Sequence, residues 1–282
     1  STDSHMELMT ADALHDKQLR AFNLESLRHA SPPAPSCKGD AFLRASHVSF
    51  SYRGEPPLLS DISLSAWKGE VIALIGRNGS GKTTLGKVLT GLIPCKDGRF
   101  VVAGSQVRQK RLSDYAYFVM QEADHQLYKE SAVEELRLGN ERTSDIDERI
   151  AGILDMLNLT DFAQHHPYTL SGGQKQRLTI GTAMASSKPI VVLDEPTSGL
   201  DWGNMCAVAQ AINLLRESER LVFVITHDIE LVDLTATRVL ALAEGRIADD
   251  FPLSSQAALE RTRQIMLGGG QPPWPLGILE VL

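Results

Sequence analysis

Gly76-Arg77-Asn78-Gly79-Ser80-Gly81-Lys82-Thr83 has the residue types and spacing of a loop that wraps a phosphate chain. Glycines let successive backbone N–H groups turn toward phosphate oxygens with no Cβ in the way. A helix starting at the end of the loop adds positive potential. The Lys82 ammonium supplies a point charge for the terminal phosphates, and the Thr83 hydroxyl is a hard oxygen ligand suited to Mg²⁺. Further on, the apolar run Ile190-Val191-Val192-Leu193 ends in two carboxylates, Asp194 and Glu195. Strand C-termini form the ligand face of an open α/β sheet. Asp194 is therefore suited to hold Mg²⁺, directly or through water, and Glu195 to polarise an attacking water as general base.

These groups need a scaffold that delivers strand ends and helix starts to one edge. Val71–Ile75 is a continuous apolar strand that runs into the glycine loop, with a helix expected from about Lys82 to Leu92. Val48, Phe50 and Tyr52 alternate along an earlier strand, as do Ile62, Leu64 and Ala66 along the next. Helices are expected over Ser131–Leu138 and Asp145–Leu157, from Ser171 onward, and over Met205–Leu215. Leu221–Ile225 reads as a buried strand, Val239–Ala248 as a hairpin turning at Gly245, and Ser254–Met266 as a last helix. Strands alternating with helices predict an α/β fold with a mainly parallel sheet covered by helices, beside an antiparallel β subdomain. Residues 1–40 read as a helix over Ala11–His29 followed by a Pro-rich linker at Ser31–Ser36, and 251–282 as a helix and a loose tail. Ser4-His5-Met6 matches a vector-derived remnant and carries no functional expectation.

Leu170-Ser171-Gly172-Gly173-Gln174-Lys175-Gln176-Arg177 resembles the signature motif of ABC-type ATPases. Ser171, the glycine amides and a helix start together make a second anion site. A chain whose glycine loop already holds phosphates has no use for it on its own nucleotide. The resemblance covers about residues 42–250 and implies a P-loop NTPase of ABC type, with a helical subdomain at about 122–186 that carries the signature. It also implies a head-to-tail dimer with ATP and Mg²⁺ between Lys82 of one cassette and Ser171 of the other. By the same resemblance Gln121, after the strand Tyr115–Met120, senses the γ-phosphate and Mg²⁺. Ser198-Gly199-Leu200-Asp201 crosses between subunits, His227 contacts the γ-phosphate, and Tyr52 stacks on adenine. Thr84, beside Thr83, joins the nucleotide-binding group, as do Gly172, Gly173 and Gln174 for the partner's ATP. Glu195, His227, Lys82 and Gln121 are then the catalytic residues, and Thr83, Gln121 and Asp194 the metal-binding ones.

The net charge of −7 argues against a broad nucleic-acid-binding surface. Three cysteines, Cys37, Cys95 and Cys206, with no CxxC spacing, argue against a disulfide framework or zinc site. No apolar stretch approaches the ~18–20 residues that span a bilayer. Lys82 and Ser171 lie 89 positions apart, which accommodates a modest helical subdomain and no long coiled coil. The run Gln121-Glu122-Ala123-Asp124-His125-Gln126-Leu127-Tyr128 and Phe50-Ser51-Tyr52 resemble the ATPase subunits of energy-coupling factor importers, which carry vitamins or metal ions. That resemblance implies a peripheral protein at the cytoplasmic face of the membrane. Its partners would be a second ABC ATPase subunit or domain, a transmembrane scaffold, and a substrate-binding membrane component. It also places Glu134 and Glu135 beside a groove that docks the scaffold. The alternative is a non-transport ABC ATPase such as an iron–sulfur assembly factor. The N-terminal helix and linker also fit a join to a preceding ABC half.

Overall fold

A computed structural model describes residues 39–139 and 145–268, all within the unit formed by residues 34–282. The expected N-terminal helix, its linker and the Pro-containing tail lie outside the described residues. Strand β3 (Val71–Ile75) is buried along its whole length. It pairs in parallel with β8 (Leu221–Ile225) and β9 (Arg238–Ala243). With β7 (Ile190–Asp194), β6 (Ala116–Val119) and the antiparallel β10 (Arg246–Pro252), it forms a six-stranded sheet in the order β10-β9-β3-β8-β7-β6. β7 and β8 are also buried throughout, which is why their sequences read as unbroken apolar runs.

The pleat sends alternate residues of β3 into two cores. Ile72 and Leu74 join one cluster with α1 (Lys82–Leu89) and with β1 (Leu43–Phe50) and β2 (Leu59–Ala66). Ala73 and Ile75 join another with Val232, Val239 and Phe251. β1 and β2 belong to a four-stranded antiparallel sheet completed by β4 (Asp97–Val102) and β5 (Ser105–Val107). Where α1 crosses the main sheet, Gly86 lacks a Cβ that would stand 3.0 Å from Val192 and 3.1 Å from Ile225. This close approach holds the phosphate-loop helix against the strands.

Among the described residues the other α-helices are α2 (Ala132–Arg137), α3 (Ile146–Met156), α4 (Gly172–Ala185), α5 (Trp202–Glu217), α6 (Ile229–Thr235) and α7 (Gln256–Met266). α2, α3 and α4 pack together at Gly181, where an added Cβ would meet Leu136, Leu157 and Ile153. Several expected boundaries move. α1 ends three residues before Leu92, because Gly91 at φ +75° lets the Leu92 N–H turn back to the Lys87 carbonyl. β1 ends at Phe50, so Tyr52 is not on the strand. β4, β5 and α6 have no counterpart in the sequence reading: Asp97-Gly98-Arg99 is polar and exposed, and α6 has only seven residues. The hairpin turns at Gly245 as expected and runs on to Pro252. Among the described residues no helix is long and apolar enough to cross a membrane.

Candidate active site

A cleft of about 490 Å³ opens where β3, β7 and β8 end. It is lined by Asn78, Gly79, Gly81, Lys82, Thr83 and Thr84 from the glycine loop and α1, by Gln121 after β6, by Glu195 and Ser198 after β7, and by His227 after β8. The sheet order puts β3, β8 and β7 side by side, and this brings residues more than a hundred positions apart to one edge.

Each loop is held by local chemistry. Gly76, Gly79 and Gly81 take φ values of +145°, +81° and +99°, conformations open to glycine. Lys82 is buried, and its Nζ donates to the carbonyls of Gly76 at 2.8 Å and Arg77 at 3.0 Å. Burial holds its pKa below the ordinary value, against the pull of Glu195 and Asp194. Asp194 is buried and does not line the cleft, but it accepts from the hydroxyl of Thr83, which does, at 3.1 Å. Glu195 is in the left-handed region at φ +48°, as are Glu219 and Glu244 at other turns of the chain. Its carboxylate faces His227, with Oε1 3.6 Å from Nε2 and Oε2 accepting from the His227 backbone N–H at 3.4 Å. Burial, then the nearby Lys82 charge, holds the imidazole below its usual pKa, so it is neutral at pH 7.

The residues present fit a nucleoside triphosphate. The buried Ser80 hydroxyl of the glycine loop has no hydrogen-bond partner, and Gly79, on the cleft lining, has nothing within 4 Å of where a Cβ would stand. Thr83 and Asp194 offer a hydroxyl and a carboxylate together. Among the described residues no cluster of three His, Cys, Asp or Glu side chains forms a metal site by itself. One carboxylate plus phosphate oxygens is the ligand set that Mg²⁺ prefers.

The sequence profile of the ABC transporter family matches residues 59–198. A putative ABC transporter ATP-binding protein of Treponema denticola is 37% identical over 251 residues, 88% of this chain and 51% of that protein. The energy-coupling factor transporter ATP-binding protein EcfA1 of Listeria monocytogenes is 33% identical over 239 residues, 81% of this chain and 85% of its own. The chain belongs to the ABC transporter ATP-binding family. The dimeric ATP-binding cassette MJ0796, in a post-hydrolysis state bound to ADP and Pi, superposes with a TM-score of 0.66 at 27% identity, covering 76% of this chain and 99% of that one. The chain spans about half the length of the Treponema relative.

As an ABC cassette, the chain keeps its signature away from its own cleft. Ser171 is exposed and caps α4, with its Oγ accepting from the Gln174 N–H at 3.3 Å. Gln174, expected to help bind the partner's nucleotide, reciprocates: its Oε1 accepts from the Ser171 N–H at 2.8 Å in a capping box. Neither Ser171, Gly172, Gly173 nor Gln174 lines the cleft, and neither does Tyr52, which is 46% exposed and packs edge-on against Phe50 at 4.8 Å. Sequence reasoning missed Thr197 and Asp228. The Thr197 hydroxyl donates to Asp228 at 3.1 Å, joining the Glu195 turn to the His227 loop. Asp228 also caps α6 by accepting from Glu230 and Leu231. Its position just before an apolar run is a helix-start signal. Leu58, which reaches the cleft from the antiparallel sheet, carries no such signal.

The acids impose a pH dependence. Burial raises the Asp194 pKa, against the lowering by Thr83, Lys87 and Lys82, and burial is also the main cause of the raised value at Glu195. Between the unfolded and folded values the folded state binds more protons, so this contribution to stability is lost as pH rises through the folded pKa. Asp194→Asn removes that ionisation while keeping an acceptor for Thr83. Without nucleotide, the variant should melt above wild type at pH 8, where the wild-type acid is buried in its charged form. The gap should close toward pH 4. Thermal denaturation across this range is the check, and a variant melting at or below wild type at pH 8 contradicts the assignment.

Proposed function

We propose that this chain binds Mg-ATP on Lys82, Thr83 and Asp194, completes the site with Ser171 of a second ABC cassette, and hydrolyses the ATP to drive import of a small solute. The solute is a vitamin or a metal ion, carried through separate membrane subunits at the cytoplasmic face. One observation carries the reading: the cleft gathers phosphate-binding and water-activating groups, while the signature's exposed Ser171 caps a helix outside it. A half-site with its complement facing away is suited to a head-to-tail pair. The dimeric cassette with ADP and Pi supports the pairing, and the similarity to EcfA1 supports the importer class.

In the proposed reaction Lys82 and the loop amides hold the phosphates. Glu195 takes a proton from the water that attacks the γ-phosphorus, and the neutral His227 donates a hydrogen bond to a γ-phosphate oxygen. Bound Mg²⁺ neutralises developing charge on the phosphates. Gln121, on the loop that leads to α2, reports the γ-phosphate to the helical subdomain.

Glu135 needs a different role from the docking one expected of it. It is 2% exposed, and its carboxylate accepts from the backbone N–H groups of Tyr128 and Lys129. It therefore closes the loop after Gln121, whereas Glu134 is exposed and free to meet a scaffold cation. Glu135→Ala is expected to cost about 1.5–3 kcal/mol, the range for hydrogen bonds to a charged group. Glu134→Lys should leave the melting temperature within about a degree, as surface changes do, and weaken recovery of membrane partners. Denaturation of both variants, with co-purification of the second, separates the roles.

Mild-detergent purification from native membranes, followed by mass spectrometry, tests the whole reading. Recovery of polytopic membrane proteins with ATPase activity is the expected result. An active ATPase recovered with non-membrane partners alone would favour an assembly factor.

A further inference from the structure

β6 is the outer strand of the main sheet, so one row of its backbone groups has no neighbouring strand. The Gln126 carboxamide occupies that row. Its Oε1 accepts from the Met120 N–H at 3.0 Å, and its Nε2 donates to the Phe118 carbonyl at 3.0 Å. Residues two apart expose their groups on the same edge, and a primary amide there reproduces the donor and acceptor of a neighbouring peptide. Nε2 also donates to the Tyr117 hydroxyl at 3.2 Å. Tyr117 donates to Thr182 at 2.9 Å, and Thr182 to the Thr179 carbonyl at 2.7 Å. Both threonines are buried in α4, the helix that Ser171 caps.

A second tie lies toward the start of α4, where Lys175 donates to Asp124 at 2.6 Å. Lys175, Thr179 and Thr182 are spaced i, i+4, i+7, so one face of α4 meets the run after Gln121. The far end of α4 is held by Arg220 on the carbonyls of Ala183 and Met184 and by Arg149 on that of Ala185. The peptide before Gln121 is thereby tied to both the sheet edge and the signature helix.

We propose that Gln126 is a positioning residue for ATP hydrolysis. It sets the root from which Gln121 reaches the cleft and joins that root to the helix presenting Ser171. The proposal rests on the ATPase reading above. Gln126→Leu keeps the apolar stem but leaves Met120, Phe118 and Tyr117 without their partner. Tyr117→Phe keeps the edge clamp and cuts only the link to α4.

The test measures kcat, KM for ATP, binding of a fluorescent ATP analogue, melting temperature and hydrogen exchange at the Met120 amide, all in the full chain. For Gln126→Leu we expect kcat to fall about tenfold or more, since small misplacements near reacting groups are that costly. Analogue binding should stay within about twofold, because the glycine loop is untouched, and Met120 exchange should rise at least tenfold. Tyr117→Phe should lower kcat about threefold with Met120 exchange unchanged. If Gln126→Leu does not fold, Tyr117→Phe decides by the same split. Kcat within twofold of wild type despite faster Met120 exchange overturns the proposal, as does a joint fall of kcat, nucleotide binding and melting temperature in both variants. A wild-type chain without ATPase activity overturns the ATPase reading instead. The exchange measurement still bears on the clamp, and unchanged Met120 exchange in Gln126→Leu overturns it.

Discussion

Glu195→Gln is expected to lower ATP hydrolysis by about 10²–10⁴-fold, the range for removal of a positioned general base. The substitution keeps the shape of the side chain and its ability to accept from the His227 N–H, so the turn after β7 is preserved. What is lost is the capacity to take a proton from water. Glu195 is placed for that step by three features: its φ of +48°, its position on the cleft lining, and the neutral His227 whose Nε2 lies 3.6 Å from its Oε1. Lys82, Thr83 and Asp194 are untouched, so ATP binding should persist, and ATP that is bound but not consumed should hold two cassettes together. Phosphate release under saturating Mg-ATP, with size-exclusion chromatography in ATP, measures both effects. Hydrolysis within tenfold of wild type would remove Glu195 as base.

Gly76→Ala has a comparably large effect through a different physical route. The position has φ +145°, a conformation that L residues rarely adopt. A Cβ there would stand 2.2 Å from the Leu242 carbonyl oxygen and 2.9 Å from the Ser80 hydroxyl. Leu242 is in β9, hydrogen-bonded beside β3, so the Cβ would press on a backbone carbonyl fixed within the sheet. Relief requires the glycine loop to shift or the strands to part. We expect a loss of about 3 kcal/mol or more, combining backbone strain with overpacking. At ~2–4 °C per kcal/mol that is a fall in melting temperature of roughly 6–12 °C. Nucleotide affinity should fall at least tenfold, because the loop amides no longer converge. Gly104→Ala is the control: it has φ +75° with nothing within 4 Å, so it bears backbone strain alone and should cost about 1 kcal/mol. Equal melting temperatures for the two variants would contradict the steric account.

Much of the site was legible because its determinants are local. The glycines of 76–81, Lys82 and Thr83 adjoin one another, and their function follows from φ values and spacing that neighbours set. The apolar runs of β3, β7 and β8 announced a sheet buried on both faces, and the acids and His227 sit directly after those runs. Element ends were less legible. The stop of α1 near Gly91 depends on a turn that returns two N–H groups to the helix, and β4 owes its strand to pairing with β1, since only Phe100 and Val102 of its six residues are buried.

Two carboxylates one position apart show the limit most clearly. In sequence Glu134 and Glu135 are alike, and the helix they share gives no reason to separate them. In the fold one faces solvent, and the other is buried against the amides of Tyr128 and Lys129. Gln126 is a similar case. As a letter in a run it only suggested a family. Its carboxamide acquires meaning from the open edge of β6 and from Tyr117 and Thr182, the latter 56 positions away. The sequence by itself determined the phosphate loop, the order of buried strands and the chemistry at their ends, because backbone freedom and side-chain type are properties of short segments. The tertiary structure alone decided which like residues are buried, which edge needs a partner and which groups share the cleft. Those outcomes depend on which distant segments pack together, and no local pattern records that.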